Sequence, residues 1–275
     1  MSAVSSWHAS FDDDLAMWER LGIGHVGLSL RKCEEVGLEV AVRRVRDAGL
    51  RVSNIVECGW CELADSATWP RYRDRLLAAI DAMRAVDAPV LVLTTGPAGP
   101  LEWDDAAHTL REVLQPVIAA ANVASVCVAI ENTSPMRLDL SFTTTLRDTV
   151  DLADQLDANV CVELNSCWAE RGFGVTVADA ITRIAHVQCS DALAGSLTTP
   201  DRLVPGDGDI PLATRLGALA RAGYAGAFEI EMVGPRIDAE GYEPAIRRAV
   251  ARMDELLSGL LTGQAGLERG REAAE

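Results

Sequence analysis

The sequence predicts a single (β/α)8 barrel over residues 1–260. Short runs rich in Val and Ile alternate with longer amphipathic segments about eight times along the chain. The 275 residues, 49% of them hydrophobic, are enough for one large core and match the usual size of a closed α/β barrel. No linker rich in Pro, Gly or Ser divides the chain into two domains.

The short apolar runs are predicted to be parallel strands, because a strand covered on both faces reads as a continuous hydrophobic run. The predicted strands span residues 4–10, 25–30, 52–57, 90–94, 126–131, 160–165, 185–189 and 227–232. An open doubly wound sheet is the alternative. Neither a GxGxxG motif nor a P-loop follows any of these runs, so a nucleotide-binding version of that sheet has little support.

The segments between the strands have helical spacing. One helix is predicted in LEVAVRRVRDAG, where Gly49 follows the last turn as a stop signal. A second is predicted in RYRDRLLAAIDAMRAV, where apolar residues share one face: Tyr72, Leu76, Ile80 and Met83. Residues 261–275 are predicted to form a polar tail of low order.

The charge of the chain restricts its partners. With 25 basic and 41 acidic residues, the net charge is −16, which repels nucleic acid and anionic membranes. No apolar run reaches the roughly 20 residues that a membrane helix needs. The segment MSAVSSWHASFDDD lacks the pattern of a signal peptide. We therefore expect a cytoplasmic protein that acts on a small molecule.

The seven cysteines are scattered and odd in number, which favours buried thiols in a reducing compartment. Cys58 and Cys61 form a CxxC pair. Because no second pair or nearby His completes a zinc set, a structural zinc or redox site is only the minor alternative.

Polar residues occur at the carboxyl ends of the later predicted strands, where barrels of this type carry their active sites. They are Glu131, Asn132, Glu163, Asn165, His186, Gln188, Asp191, Glu229 and Glu231. Carboxylates inside apolar strands are costly unless they are paired, hydrogen-bonded or bound to a metal. We therefore expect a functional site at this end of the barrel.

Four segments carry a family resemblance: VAIENT, CVELNSCW, IAHVQCSDAL with RLVPGDGDI, and GAFEIEM. From about Trp7 to Leu257 the chain resembles the xylose-isomerase-like TIM barrels of the sugar phosphate isomerase/epimerase superfamily. The resemblance implies the same barrel fold and an isomerase or epimerase of carbohydrate metabolism. It also implies a homodimer or homotetramer.

The resembling enzymes hold a divalent metal with Glu, Asp, His and Glu on the last four strands. Carried over, the ligands are Glu131, Asn165, Gln188 and Glu231, so two positions depart from the pattern. Amide oxygens bind Mn2+ or Mg2+ as neutral ligands and suit zinc poorly. In an alternative alignment Glu163 takes the position of the Asp, with Asn165 beyond it.

The resembling enzymes move a proton next to a carbonyl with two glutamates on opposite sides of the substrate. The resemblance therefore implies that Glu131 and Glu231 are the base and the acid, with or without a metal. His186 and Asp191 would orient the substrate. Arg202 would bind a carboxylate or phosphate on it, and the alternative for Arg202 is a surface loop charge.

Aromatic residues are frequent in the loops after the predicted strands. Trp60, Trp168 and His8 are predicted to line the substrate pocket, as are Trp7 and Trp103, although loop packing would explain them equally. Together with the departures at the metal site, they add a substrate less polar than a simple sugar as an alternative.

Three alternatives stay open. A lyase or dehydratase would begin with the same α-proton abstraction, and a barrel that has lost catalysis would only bind a ligand or a protein. Glu163, His186 and Glu229 form either a second functional set or a buried hydrogen-bonded network. An endonuclease is excluded by the net charge and by the lack of extra His and Asp ligands.

Overall fold

Seven parallel strands pair in chain order and form a nearly closed barrel. The computed structural model describes residues 1–57, 59 and 61–272, with residues 261–272 as backbone alone. The strands are β1 (His25–Ser29), β2 (Arg51–Glu57), β3 (Val90–Leu93), β4 (Cys127–Glu131), β5 (Asn159–Glu163), β6 (Ile184–Cys189) and β7 (Phe228–Ile230). The second to eighth predicted strands are thus confirmed.

Helices follow the strands and cover the outside of the barrel. They are α1 (Phe11–Leu21), α2 (Leu30–Val36), α3 (Leu38–Asp47), α4 (Trp69–Ala85), α5 (Trp103–Val123), α6 (Leu146–Leu156), α7 (Leu164–Cys167), α8 (Phe173–Asp179), α9 (Leu212–Ala222), α10 (Pro235–Glu240) and α11 (Tyr242–Glu272). Short 3-10 helices occupy Ala3–Ser6 and Ile181–Arg183. The two helices predicted in detail are α3, which ends before Gly49 at φ +65°, and α4, whose predicted apolar face is buried.

The first predicted strand, residues 4–10, is wrong. The segment forms the 3-10 helix Ala3–Ser6, because the hydroxyl of Ser2 accepts a hydrogen bond from the amide of Val4 and begins a helical turn. Residues 1 and 2 nevertheless connect β7 to β1, the two edge strands of the sheet. The amide of Ser2 donates to the carbonyl of Ile230 at 2.9 Å, and the amide of Gly27 donates to the carbonyl of Met1 at 2.9 Å.

Small side chains of the strands and of the first 3-10 helix form a cluster in the interior of the barrel: Val4, Val56, Val90, Val92, Ala129 and Cys161. The larger apolar residues point outward from the strands and pack beneath the helices in two further clusters. This arrangement leaves the inward positions near the carboxyl ends of β4 to β7 for polar residues.

The structure also bears on the predictions for the cysteines, the C-terminal segment and membrane-spanning helices. Cys33, Cys61, Cys161, Cys167 and Cys189 are buried free thiols, whereas Cys127 is exposed because it is the first residue of β4. Cys58 lies outside the described residues. The tail predicted over 261–275 falls where side chains are not described, and its low order stays a prediction. Within residues 1–57, 59 and 61–272, none of the helices has both the length and the apolar character needed to cross a membrane.

Candidate active site

Three buried glutamates meet at the carboxyl end of the barrel. Glu131 ends β4, Glu163 ends β5, and Glu231 follows β7 by one residue. Their carboxylate oxygens lie within 4.8 Å of one another. Parallel strands bring their carboxyl ends to one rim, so three residues distant in the sequence become neighbours. Glu163 thus joins the two glutamates that the sequence singled out as catalytic.

Arg202, on the loop after β6, reaches into this cluster, and its side chain is only 15% exposed. Its Nη1 lies 2.5 Å from Oε2 of Glu163 and 2.7 Å from Oε1 of Glu231. The contact with Glu163 is an ion pair without the alignment of a hydrogen bond, whereas Nη1 does donate to Glu231. Arg202 thus contacts the glutamates of the site itself, and its contact with a carboxylate or phosphate of the substrate stays a prediction.

Glu231 is held from two further sides. The amide nitrogen of Gln188 donates to Oε2 of Glu231 at 2.7 Å, and the hydroxyl of Ser2 donates to the same oxygen at 2.9 Å. The carbonyl oxygen of Gln188 instead faces the thiol of Cys161, with Sγ and Oε1 3.6 Å apart. Sequence reasoning missed Ser2. No local motif signals it, because Ser2 reaches the site only when the barrel closes.

Glu131 differs from Glu231 because its carboxyl has no hydrogen-bond partner within the part of the chain that the structure describes. Its side chain faces a cavity of about 640 Å³ whose floor also includes Glu231 and Arg202. The walls are largely apolar and aromatic and include Trp7 and Trp168. The cavity therefore presents one free carboxyl and one anchored carboxyl to a ligand.

A second polar layer lies next to the first, one strand position deeper in the barrel. His186 Nε2 lies 3.0 Å from Oε2 of Glu229, and Asn54 donates to the same oxygen at 3.2 Å. The other oxygen of Glu229 is buried against Gly27 and has no hydrogen-bond partner among the residues that the structure describes. His186 and Glu229 do not line the cavity, so the structure places His186 in a buried network away from a ligand. Glu163, grouped with them on sequence, belongs to the upper cluster.

The remaining predicted site residues divide into two groups. His8, Trp168 and Asn165 line the cavity, and the side-chain amide of Asn165 donates to the backbone carbonyl of Asp191 at 3.0 Å. The carboxylate of Asp191 instead anchors its own loop by accepting from the amides of Ala192, Gly206 and Ile210. Trp103 packs edge-on against Phe142, and Trp60 lies outside the described residues.

Burial and neighbouring charges give the glutamates different pKa values. Burial raises the pKa of Glu231 to about 7, and the charges of Glu229 and Glu163 add to this against the opposing charge of Arg202. Burial, followed by the charges of Glu231 and Glu163, raises the pKa of Glu131 well above its usual range. Burial also acts to raise the pKa of Glu229, but its hydrogen bond and charge interaction with His186 outweigh that effect and hold it below the usual range.

Three clustered carboxylates could hold a divalent ion, because Mn2+ and Mg2+ prefer hard oxygen ligands. The neighbouring side chains do not fit that role. Arg202 already contacts two of the three carboxylates, and Gln188 presents amide hydrogens to the cluster. Of the two amides predicted as ligands, Gln188 directs its oxygen toward Cys161, and Asn165 donates its amide nitrogen to the backbone of Asp191.

A family model described as xylose isomerase-like TIM barrel matches residues 16–256. This chain belongs to that family. The match covers most of the described structure, including all of the glutamates discussed above. The family resemblance seen in the sequence is thus confirmed.

Solved structures share the fold of this xylose isomerase-like barrel. Protein SMc04130 from Sinorhizobium meliloti 1021 is 24% identical, covers 93% of this chain and 98% of its own, and superposes with a TM-score of 0.82. IOLI protein, solved with a bound zinc atom, is 16% identical over 94% and 98% of the two chains, with a TM-score of 0.78. L-ribulose 3-epimerase is 18% identical over 97% and 96%, with a TM-score of 0.77. A search of curated protein sequences finds no match.

Proposed function

We propose that this xylose isomerase-like barrel is an isomerase or epimerase that transfers a proton next to a carbonyl group. The observation that carries the proposal is the pair of buried carboxyls, Glu131 and Glu231, which face one cavity with different partners and different proton affinities. Two carboxyls with separated pKa values are what a reaction needs when one group removes a proton and another returns it. The epimerases among the structural neighbours support the same reaction class.

In this mechanism Glu231 is the base. With a pKa of about 7 it is largely ionised in mildly alkaline solution, and Gln188, Ser2 and Arg202 hold its carboxylate in place. Burial and the neighbouring carboxylates raise the pKa of Glu131, which favours its protonated form, so Glu131 is the acid that donates a proton to the substrate. After the transfer, the two glutamates exchange protonation states, as an epimerase or isomerase requires.

Removal of the α-proton leaves negative charge on the carbonyl oxygen of the substrate, and this charge needs a preorganised donor. Arg202 lies on the floor of the cavity. Among the described residues, its Nε and Nη2 have no hydrogen-bond partner. These hydrogens are therefore free to bind the developing enediolate while Nη1 holds the glutamates.

We propose a small hydroxy-carbonyl compound as the substrate, either sugar-like or somewhat less polar than a simple sugar. The polar floor of the cavity suits a carbonyl and a neighbouring hydroxyl, and the indole faces of Trp7 and Trp168 suit the apolar side of a sugar ring. A cytoplasmic location and a homodimer or homotetramer remain part of the proposal. Mn2+ or Mg2+ would assist only if the glutamates released Arg202.

The test is proton exchange with solvent deuterium, followed by NMR on a panel of ketoses and α-hydroxy ketones. We expect wild-type protein to exchange the α-proton of at least one compound. Glu231→Gln should slow the exchange about a hundredfold or more because it lacks the base, and Glu131→Gln should slow conversion to the product by a similar factor because it lacks the acid. Glu170→Gln is the control, since Glu170 is a half-buried glutamate that caps α6 outside the cavity.

The outcomes separate the alternatives. Retained exchange in Glu231→Gln and retained conversion in Glu131→Gln would refute the roles given to Glu131 and Glu231. Exchange accompanied by loss of a β-substituent would indicate a lyase or dehydratase. Tight binding of panel compounds without any exchange would identify a binding barrel that lacks catalysis.

A further inference from the structure

We infer that the guanidinium of Arg202 takes the position of a divalent metal ion among Glu131, Glu163 and Glu231. The positive charge next to the glutamates is then supplied by an arginine side chain instead of a metal ion. This inference concerns the charge and occupancy of the site and stands independently of the proton transfer proposed above.

The first argument is positional. A metal bound by the three glutamates would lie between oxygens that are within 4.8 Å of one another. Nη1 of Arg202 lies 2.5 Å from an oxygen of Glu163 and 2.7 Å from an oxygen of Glu231. The guanidinium and an ion would therefore compete for the same carboxylate oxygens, and both cannot be present.

The second argument is the orientation of Gln188. Its amide nitrogen donates to Oε2 of Glu231 and, at 3.4 Å, to Oε2 of Glu229, while its carbonyl faces the thiol of Cys161. Turning the amide around would place two acceptor oxygens against each other. Gln188 is thus arranged to complement carboxylates, whereas a metal ligand at this position would have to present a lone pair.

The third argument is that backbone hydrogen bonds fix the position of Arg202 and of its loop. The amide of Arg202 donates to the carbonyl of Val233 at 3.0 Å, and the next residue, Leu203, exchanges two backbone hydrogen bonds with Asp191. Asp191 is itself fixed by three backbone amides. The loop therefore directs Arg202 inward. An ion entering the cluster would have to leave that buried guanidinium without its acceptors, which is strongly unfavourable.

The experiment measures metal binding rather than activity. Wild-type protein, Arg202→Ala and Arg202→Ala/Gln188→His are treated with EDTA, incubated with Mn2+ or Zn2+, desalted and analysed by elemental mass spectrometry and thermal unfolding. Arg236→Ala is the matched control, because Arg236 pairs with Asp201 beside the cavity and touches none of the three glutamates. Circular dichroism verifies that each variant is folded.

We expect the wild type and Arg236→Ala to retain neither ion, and their Tm to be unaffected by EDTA, Mn2+ or Zn2+. Arg202→Ala should gain Mn2+ binding with a raised Tm, and the double variant should bind Zn2+ as well, because it adds an imidazole. Stoichiometric metal in wild-type protein, with a Tm lowered by EDTA, would overturn the inference even if Arg202→Ala failed to fold. Folded Arg202 variants that bind neither ion would also overturn it.

The result is distinguishable from a failure of the proposed function. Retained deuterium exchange in Glu231→Gln and retained conversion in Glu131→Gln would refute the catalytic roles and leave the metal measurements untouched. Metal in the wild-type protein would refute the role of Arg202 and leave the two glutamates as acid and base.

Discussion

Glu131, Glu229 and Glu231 carry the same functional group within one small region, and their surroundings give it different properties. Glu131 is buried among like charges, its carboxyl accepts no hydrogen bond from the described residues, and its pKa is raised well above the usual range. Glu231 has the same burial but accepts from Ser2, Gln188 and Arg202, and its pKa is raised only to about 7. Contacts rather than residue type therefore distinguish the carboxyl that we propose as the acid from the one that we propose as the base.

The contacts of Glu231 predict how deuterium exchange depends on pH. The folded-state pKa of Glu231 lies above the ordinary carboxyl value, so its basic form is lost as pH falls through about 7. Exchange should therefore rise with pH to a midpoint near this value. Ser2→Ala removes a hydrogen bond that lowers the pKa of Glu231, so the midpoint should move upward by about one unit or less.

Ser66→Ala, at an exposed position outside the cavity, is the control and should leave the midpoint unchanged. A Ser2→Ala profile that moved to lower pH would contradict the assignment of Glu231 as the base. So would a wild-type rate that is independent of pH between 5 and 9, a range about two units to either side of that pKa.

A single residue of β1, Gly27, leaves the space that the second polar layer occupies. In β1 the register with β2 shifts between Val26 and Gly27, and Gly27 faces the second polar layer. A Cβ at Gly27 would lie 1.8 Å from Oε1 of Glu229 and 2.5 Å from Oδ1 of Asn54. Only glycine leaves room for these groups, so β1 forms part of the site without contributing a side chain to it.

We predict that Gly27→Ala lowers the free energy of unfolding by about 3 kcal/mol, because the methyl group overlaps a buried carboxylate that cannot move freely. Gly24→Ala is the matched control. It lies just before β1, and a Cβ there would meet nothing within 4 Å. Urea unfolding of both variants measures the difference, and equal stability of the two would show that Glu229 can relocate without cost.

The whole barrel is closed by the segment that precedes α1. Lys32, the single lysine of the chain, is fully buried on α2 and donates to the carbonyls of Ala3 and Ser6 and to the carboxylate of Asp14. Burial raises the pKa of Asp14 to about 6 and lowers the pKa of Lys32, so desolvation outweighs the attraction within the pair. The pair therefore serves mainly to hold residues 3–6 against the barrel.

We predict that Lys32→Met costs about 3–5 kcal/mol, because it leaves the buried carboxylate of Asp14 without its counter-charge and removes a donor from the carbonyls of Ala3 and Ser6. Asp14→Asn/Lys32→Met should recover part of this loss, since the double variant buries no charge. Thermal unfolding compares them. Labelling of Lys32 by an amine reagent in wild-type protein should occur only upon opening of the segment, and fast labelling under native conditions would contradict this account.

Much of the fold follows from local patterns. The alternation of apolar runs and amphipathic segments predicted seven of the strands and helices such as α3 and α4, because burial on both faces selects for these patterns at every position. The first predicted strand was wrong for a local reason as well: the hydroxyl of Ser2 begins a helical turn there. The rim of the barrel as the place of the site also followed from strand order alone.

The sequence by itself thus determined the barrel, the rim and the glutamates at the ends of its strands. Only the tertiary structure decided which groups meet there. It brought Glu163 rather than Asn165 into the cluster, because β5 ends at Glu163 and the side chain of Glu163 caps the turn that begins α7. It also added Ser2 and Arg202, whose contacts depend on barrel closure and on a folded loop. Strand periodicity is local in the chain, whereas these contacts join residues that become neighbours only when the chain has folded.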